Sequence, residues 1–195
     1  QPIIALANKG QKRAVAFKWG LIPSWAKDPQ IGNRLINARA ETLAEKPSFR
    51  SCYKRRRCLI PTTGFFEWKK QPDGKTKIPT LITLKSGRPF AFAGLWEHWG
   101  SPEGDEIETC TIITTEPNTL MARIHNRMPV ILPKESFDAW LDPDEKRSED
   151  LQNLLVAFPA DEMTTHPVSS RVNSPTNDSP DCITPVHQPE QGALF

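Results

Sequence analysis

Three short runs carry the residues best suited to chemistry. In Phe65-Phe66-Glu67-Trp68 a single carboxylate stands inside an aromatic run. Read as a strand, the run alternates its faces, so Phe65 and Glu67 point one way and Phe66 and Trp68 the other. Desolvation there would raise the acid towards neutrality and suit Glu67 to moving protons. The competing account is an edge-strand ion pair with Lys69, Lys70 or a nearby Arg. In Asn37-Ala38-Arg39-Ala40-Glu41-Thr42 an amide, a guanidinium and a carboxylate sit among small residues that let a ligand approach closely. The same pattern also suits a small-residue helix start with a surface ion pair. In Ile124-His125-Asn126-Arg127-Met128-Pro129-Val130 a His and an Arg stand two apart, and Pro129 biases Met128 towards an extended form. An extended run puts His125 and Arg127 on one side, a proton carrier beside a phosphate clamp; a purely structural His125 is the alternative.

The elements that must position these runs are mostly strands. Cys58 to Ile60 is a short apolar run, Pro61 to Gly64 is turn chemistry, and Phe65 to Trp68 is β-prone. Gln1 to Ala7 reads as extended, and Ala14 to Leu21 alternates and carries Trp19 into a turn at Gly20. Ile22 to Pro29 is a proline-punctuated loop with Trp25 in its middle. From Ser48, as N-cap, Phe49, Cys52 and Tyr53 fall at helical spacing, with Lys54 to Arg57 at the helix C-terminus. Gln71-Pro72-Asp73-Gly74 is a turn. Ile78 to Leu84 and Arg88 to Trp96 read as strands joined in a hairpin across Lys85-Ser86-Gly87, and Gly100 to Asp105 as a second hairpin loop leading to a strand at Glu108 to Thr115. Pro117-Asn118 opens a short helix, Val130 to Leu132 is extended, and Ser136 to Leu141 is helical. Ser148 caps a helix carrying Leu151, Leu154, Leu155 and Phe158. The expectation is one α+β domain, mainly antiparallel sheet curled into an open barrel-like core with flanking helices, over residues 1–160. A Pro/Ser/Thr/Asn-rich extension at 161–195 should pack partly on the domain and then become flexible.

Composition bounds the function. The 195 residues suffice for one core of ordinary size, and no apolar span is long enough for a transmembrane helix. No signal-peptide pattern is present at the start. Cys52, Cys58, Cys110 and Cys182 form no Cys-x-x-Cys pair, and the four histidines are dispersed, which argues against a zinc site and against a disulfide framework. A reducing, cytoplasmic setting follows. The net charge of +2 hides an asymmetry: Lys12 to Lys77 holds 16 Lys and Arg against 5 Asp and Glu, whereas Ile78 to Phe195 holds 8 against 18. Two accounts fit, a polyanion held on one basic face or a solvated surface that pairs with the acidic second half.

The three runs, with Lys18-Trp19-Gly20-Leu21-Ile22-Pro23-Ser24-Trp25-Ala26, Arg56-Arg57-Cys58-Leu59-Ile60-Pro61 and Ala91-Phe92-Ala93-Gly94-Leu95-Trp96-Glu97, resemble the SOS-response-associated peptidase family, the abasic-site processing proteins. The matches span Trp19 to about Leu141 in the family's order. Phe66 stands where many members have Tyr, and Asn126 where many have Asp. The resemblance implies binding of single-stranded DNA as a monomer and reaction with abasic sites, without cofactor or metal. It implies that an N-terminal cysteine attacks the ring-opened sugar through its amine and closes a thiazolidine through its thiol. By the same likeness Asn37 orients the reacting amine or sugar, Glu67 shuttles protons, and His125 is a second acid/base. Arg39 and Arg127 then hold flanking phosphates, Trp19 and Trp68 stack on or wedge bases, and Thr114 lines the pocket.

In the family that cysteine stands in a Met-Cys-Gly-Arg opening, whereas Gln1-Pro2-Ile3-Ile4 resembles a segment further in. The chain from Gln1 is therefore expected to bind DNA without forming the thiazolidine, since the mechanism needs a cysteine's α-amine. Two other readings stand beside this one: a non-catalytic single-stranded nucleic-acid binding module, and a self-processing peptidase using Asn37, Glu67 and His125. Finally, Gln191-Gly192-Ala193-Leu194-Phe195 resembles the Gln-x-x-Leu-Phe peptides by which bacterial repair proteins dock on the sliding clamp, with Gln191 as polar anchor and Leu194-Phe195 for an apolar cleft; an incidental tail is the alternative.

Overall fold

A computed structural model describes residues 1–101, 103–144 and 148–186. Gln191, Leu194 and Phe195 lie outside the described residues. No helix among the described residues is long and apolar enough to cross a membrane.

The longest strands organise the molecule. β1 (Pro2–Asn8) and β2 (Lys12–Trp19) form a hairpin, and β4 (Arg57–Thr62) lies between β1 and β7 (Phe90–Gly100). β8 (Glu106–Thr115) returns antiparallel to β7 and also pairs parallel with β2, so the sheet closes into a ring. Three short strands, β3 (Asn37–Arg39), β9 (Met128–Pro129) and β10 (Ile131–Leu132), join its rim. A second, antiparallel sheet is built from β5 (Phe65–Lys70), β6 (Lys77–Leu84) and β11 (Met163–Pro167). The expected α+β fold, mainly antiparallel and curled on itself with helices on its flank, is what the chain adopts.

Alternation along β7 divides the core. Ala91, Ala93 and Leu95 face the helical side, where α1 (Arg50–Arg55), α2 (Phe137–Leu141) and α3 (Ser148–Gln152) contribute Cys52, Tyr53, Trp140, Leu141 and Leu151. Phe90, Phe92 and Trp96 face the other way and pack with Phe17, Cys58, Ile60, Ile82 and Met163. Between them Gly94 admits Cys58 and Ile60: a Cβ there would lie 2.9 Å from Cys58 Sγ and 2.9 Å from Ile60 Cδ1. Arg57 ties the helical flank to the ring. Its buried guanidinium donates to the carbonyls of Trp140 (2.7 Å), Tyr53 (2.8 Å) and Asp142. All four cysteines are free and buried.

Three local expectations need correction. β6 and β7 do not form a hairpin: β6 pairs with β5 and β11, β7 with β4, β8 and β10, and Lys85-Ser86-Gly87 carries the chain from one sheet to the other. The true hairpin is β5–β6, closed over Gln71 to Thr76. Ser48 does not cap α1, because the carbonyl of Lys46 already accepts from the N–H groups of Phe49 and Arg50, and Phe49 is the cap residue. The helix at Ser148 ends at Gln152, and Phe158 packs with the opposite core rather than with the cluster that holds Leu155.

Candidate active site

β8 brings distant parts of the chain to one place. On one edge β3 pairs with it in parallel, Asn37 opposite Ile112 and Arg39 opposite Thr114; on the other edge β9 sets Pro129 opposite Thr114. Asn37 and Arg39 are exposed while Ala38 between them is buried, the alternation of a half-buried strand. Trp19, at the end of β2, reaches this group because the chain turns sharply at Gly20 (φ +112°). A Cβ on Gly20 would meet the carbonyl oxygen of Gly32 at 2.5 Å, so only glycine lets the two backbones lie this close. The Trp19 indole N–H then donates to the carbonyl of Ile36 (2.8 Å), beside Asn37.

The second sheet supplies the acid. Phe65 packs edge-on against Phe92 of the ring, with centroids 5.6 Å apart, which fixes β5 over the rim. Two residues on, Glu67 comes within 3.9 Å of His125 Nδ1. A cleft of about 310 Å³ is lined by Trp19, Asn37, Arg39, Phe65, Glu67, Thr114, His125 and Arg127. Among the described residues, the structure thus brings together every sequence-derived site residue except Trp68. Trp68 lies on the far side of Glu67, in a second depression of about 640 Å³ that shares Glu67 and His125 as its wall. There its indole N–H donates to Asn173 Oδ1 (2.8 Å).

Burial holds the Glu67 carboxyl above its ordinary value; the neighbouring imidazole and the N–H of Trp68 pull it partly back. The side chain that faces it is His125, and not the Lys69, Lys70 or Arg of the alternative reading. His125 sits in an arrangement suited to either protonation state. Its Nδ1 lies 3.2 Å from the Arg127 N–H, which can donate to a neutral ring, and 3.1 Å from the Arg127 carbonyl, which can accept from a protonated one. The ring can therefore gain or lose a proton without leaving its place.

Residues 125–127 form a bend rather than an extended run. Arg127 accordingly turns inwards, forming a two-pronged pair with Glu41 (2.8 and 2.9 Å) and donating to the Thr114 carbonyl (2.6 Å). That pairing lowers the Glu41 pKa. Arg127 thus braces the turn after β3, β8 and the His125 bend against one another, while Arg39 is exposed and forms no ion pair with a described residue. Sequence reasoning missed Glu41 as this partner, and also Lys70, Lys77 and Arg123 in the second depression. The hairpin register about Gln71 to Thr76 was a usable signal for the two lysines. Trp25, 59% exposed, is another aromatic to which no role was given.

Residues 1–175 match the SOS response associated peptidase (SRAP) family. The chain belongs to that family. Among SRAP relatives it is 54% identical to abasic site processing protein YoqW of Bacillus subtilis (strain 168), over 94% of this chain and 82% of the relative. It is 32% identical to abasic site processing protein HMCES of Xenopus tropicalis, over 92% of this chain and 59% of that longer protein. The SRAP chain also superposes on a crystal structure of a Bacteroides thetaiotaomicron protein with a TM-score of 0.86 and 33% identity, covering 96% of this chain and 82% of the other. A Bordetella bronchiseptica protein follows at a TM-score of 0.74 and 26% identity, covering 86% and 84%.

Proposed function

We propose that this SRAP domain processes abasic sites in single-stranded DNA and, in a chain that opens with the family's Met-Cys-Gly-Arg segment, forms a covalent crosslink to them. The observation that carries the reading is the meeting of Asn37, Glu67 and His125 in one cleft beside Trp19. The cysteine α-amine adds to C1′ of the ring-opened sugar, and the carbinolamine expels water after accepting a proton. The thiol sulfur then adds to the imine carbon while its proton passes to nitrogen. One water leaves and no redox step occurs. A carboxyl raised by burial is a suitable donor for the departing water, and His125, held in place in both protonation states, can return the proton. Asn37 orients the amine or the sugar, Arg39 holds a flanking phosphate, and Trp19 stacks on a neighbouring base. The names of the relatives agree with this reading.

None of the four cysteines in the sequence replaces the nucleophile: each is buried and lies inside the chain, without a free α-amine. The test is therefore a chain carrying the Met-Cys-Gly-Arg opening, incubated with a single-stranded oligodeoxynucleotide containing an abasic site. A heat-stable adduct is expected on a denaturing gel, forming more slowly in Glu67→Gln. No adduct from the unsubstituted chain overturns the crosslinking mechanism. Equal affinity for abasic and intact strands would leave a binding module, the second reading. Mass spectrometry of the N-terminus tests the third, self-processing, whose acid, base and amide would be the same three side chains.

A further inference from the structure

The β5–β6 hairpin contains a pairing that is unfavourable for folding. Lys70 and Lys77 stand directly opposite each other in its register. Like charges in that position repel, and directly opposed side chains of an antiparallel pair project on the same face. Trp68, two residues before Lys70, is on that face too. All three line the 640 Å³ depression, and Arg123, from the turn at Met121–Arg123, lines it with them. Neither lysine nor Arg123 forms an ion pair with a described residue. Of the hairpin's two carboxylates, Asp73 is occupied in the turn, accepting from the N–H groups of Lys75 and Thr76 and from the Thr76 hydroxyl. Glu67 forms the far wall, against His125.

We infer that this depression is a phosphate-binding continuation of the active site, taking the backbone of the strand on one side of the reacting sugar. The inference rests on the proposed function and adds to it the place where the strand leaves the cleft. Three cations from two elements converge on an open space that shares a wall with the catalytic pair, and an anion between Lys70 and Lys77 relieves their repulsion. The exposed Trp68, its indole edge fixed by Asn173, offers a face for the adjoining base. Occupation on one side of the lesion makes binding directional: a strand extended on that side gains the contacts, and one extended only on the other does not.

The test measures fluorescence anisotropy of a labelled single-stranded oligodeoxynucleotide carrying a tetrahydrofuran abasic analogue, over a range of salt concentrations. Each phosphate contact on a single strand contributes about 0.7 to the slope of log K against log salt. The K70Q/K77Q double variant should lower that slope by about 1.4 and weaken binding about tenfold at moderate salt, while melting at the same temperature as the wild type or higher. R123Q, on a separate element, should lower the slope by about 0.7, and K70R/K77R should retain wild-type binding. Shortening the oligonucleotide on one side of the analogue, and not on the other, should erase the difference between wild type and K70Q/K77Q. Unchanged slopes in both K70Q/K77Q and R123Q overturn the inference while leaving the proposed function standing. A wild-type protein that binds neither abasic nor intact strands overturns the proposed function itself.

Discussion

Arg127→Ala separates the phosphate clamp expected from the sequence from the brace that the contacts of Arg127 describe. In the structure the guanidinium donates to the Thr114 carbonyl at 2.6 Å and grips both oxygens of Glu41. A hydrogen bond from a charged donor to a largely buried acceptor contributes roughly 1.5–3 kcal/mol. The half-exposed pair with Glu41 contributes about 0.2–1 kcal/mol. Removing both should destabilise the fold by roughly 2–4 kcal/mol, which for a chain of this size lowers the melting temperature by roughly 4–16 °C. Glu41→Gln removes only the smaller part and should cost under about 1 kcal/mol. Its pH dependence has a definite sign. A carboxyl held below its ordinary value contributes stability above that value, and the contribution is lost as pH falls through the lowered folded pKa, so wild type and Glu41→Gln should converge in acid. Thermal melts followed by circular dichroism measure both effects, and a double-mutant cycle isolates the pair. Crosslinking should slow in Arg127→Ala because the bend carrying His125 loosens, while the salt slope of binding stays as in the wild type. An Arg127→Ala protein that melts within about 1 °C of wild type and loses about 0.7 from its salt slope would refute the brace and restore the clamp.

Glu67→Gln should slow adduct formation and alter stability with the opposite sign of pH dependence. A carboxyl raised by burial favours the fold below its ordinary value of 4.5, an advantage lost as pH rises through the folded pKa, so the melting temperature of Glu67→Gln relative to wild type should increase from about pH 4 to about pH 8. Arg57→Ala should cost about 3 kcal/mol or more in urea denaturation, because the carbonyls of Trp140, Tyr53 and Asp142 lose their buried donor together. Gly94→Ala should cost about 1–3 kcal/mol by the same measurement, since its methyl would press on Cys58 and Ile60 between two packed strands.

The parts of this site that were legible in the sequence are those set by local alternation and by the chemistry of single runs. Glu67 reads as a desolvated acid because aromatic residues flank it within one strand, and its raised pKa follows from that burial. Asn37 and Arg39 stand out in the sequence as polar groups among small residues, but that they share one exposed strand face is set by the pairing of β3 with β8. Pairings set by distant registers were not legible. Lys85-Ser86-Gly87 looks like a hairpin loop, yet Phe90 to Gly100 is claimed by β4 and β8, and a turn of this composition carries no information about that competition. The two-sided face of Arg127 arises likewise, because β3 and β9 take opposite edges of β8 and so deliver Glu41 and Arg127 to each other from either side.

The same two-edged strand explains why the site is both rigid and poised. Asn37 and Arg39 are aligned with Ile112 and Thr114 by backbone hydrogen bonds, whose geometry admits little drift. His125 instead stands in a bend that its own N–H anchors to the Met121 carbonyl and the Arg127 guanidinium braces, and Glu67 reaches it from a different sheet held by an aromatic contact. The groups that would bind sugar and phosphate are thus mounted on the ring. The two that would exchange protons face each other across 3.9 Å from separate elements. That separation is long for a hydrogen bond and leaves room for a proton to pass between the two groups through a bridging water or the substrate.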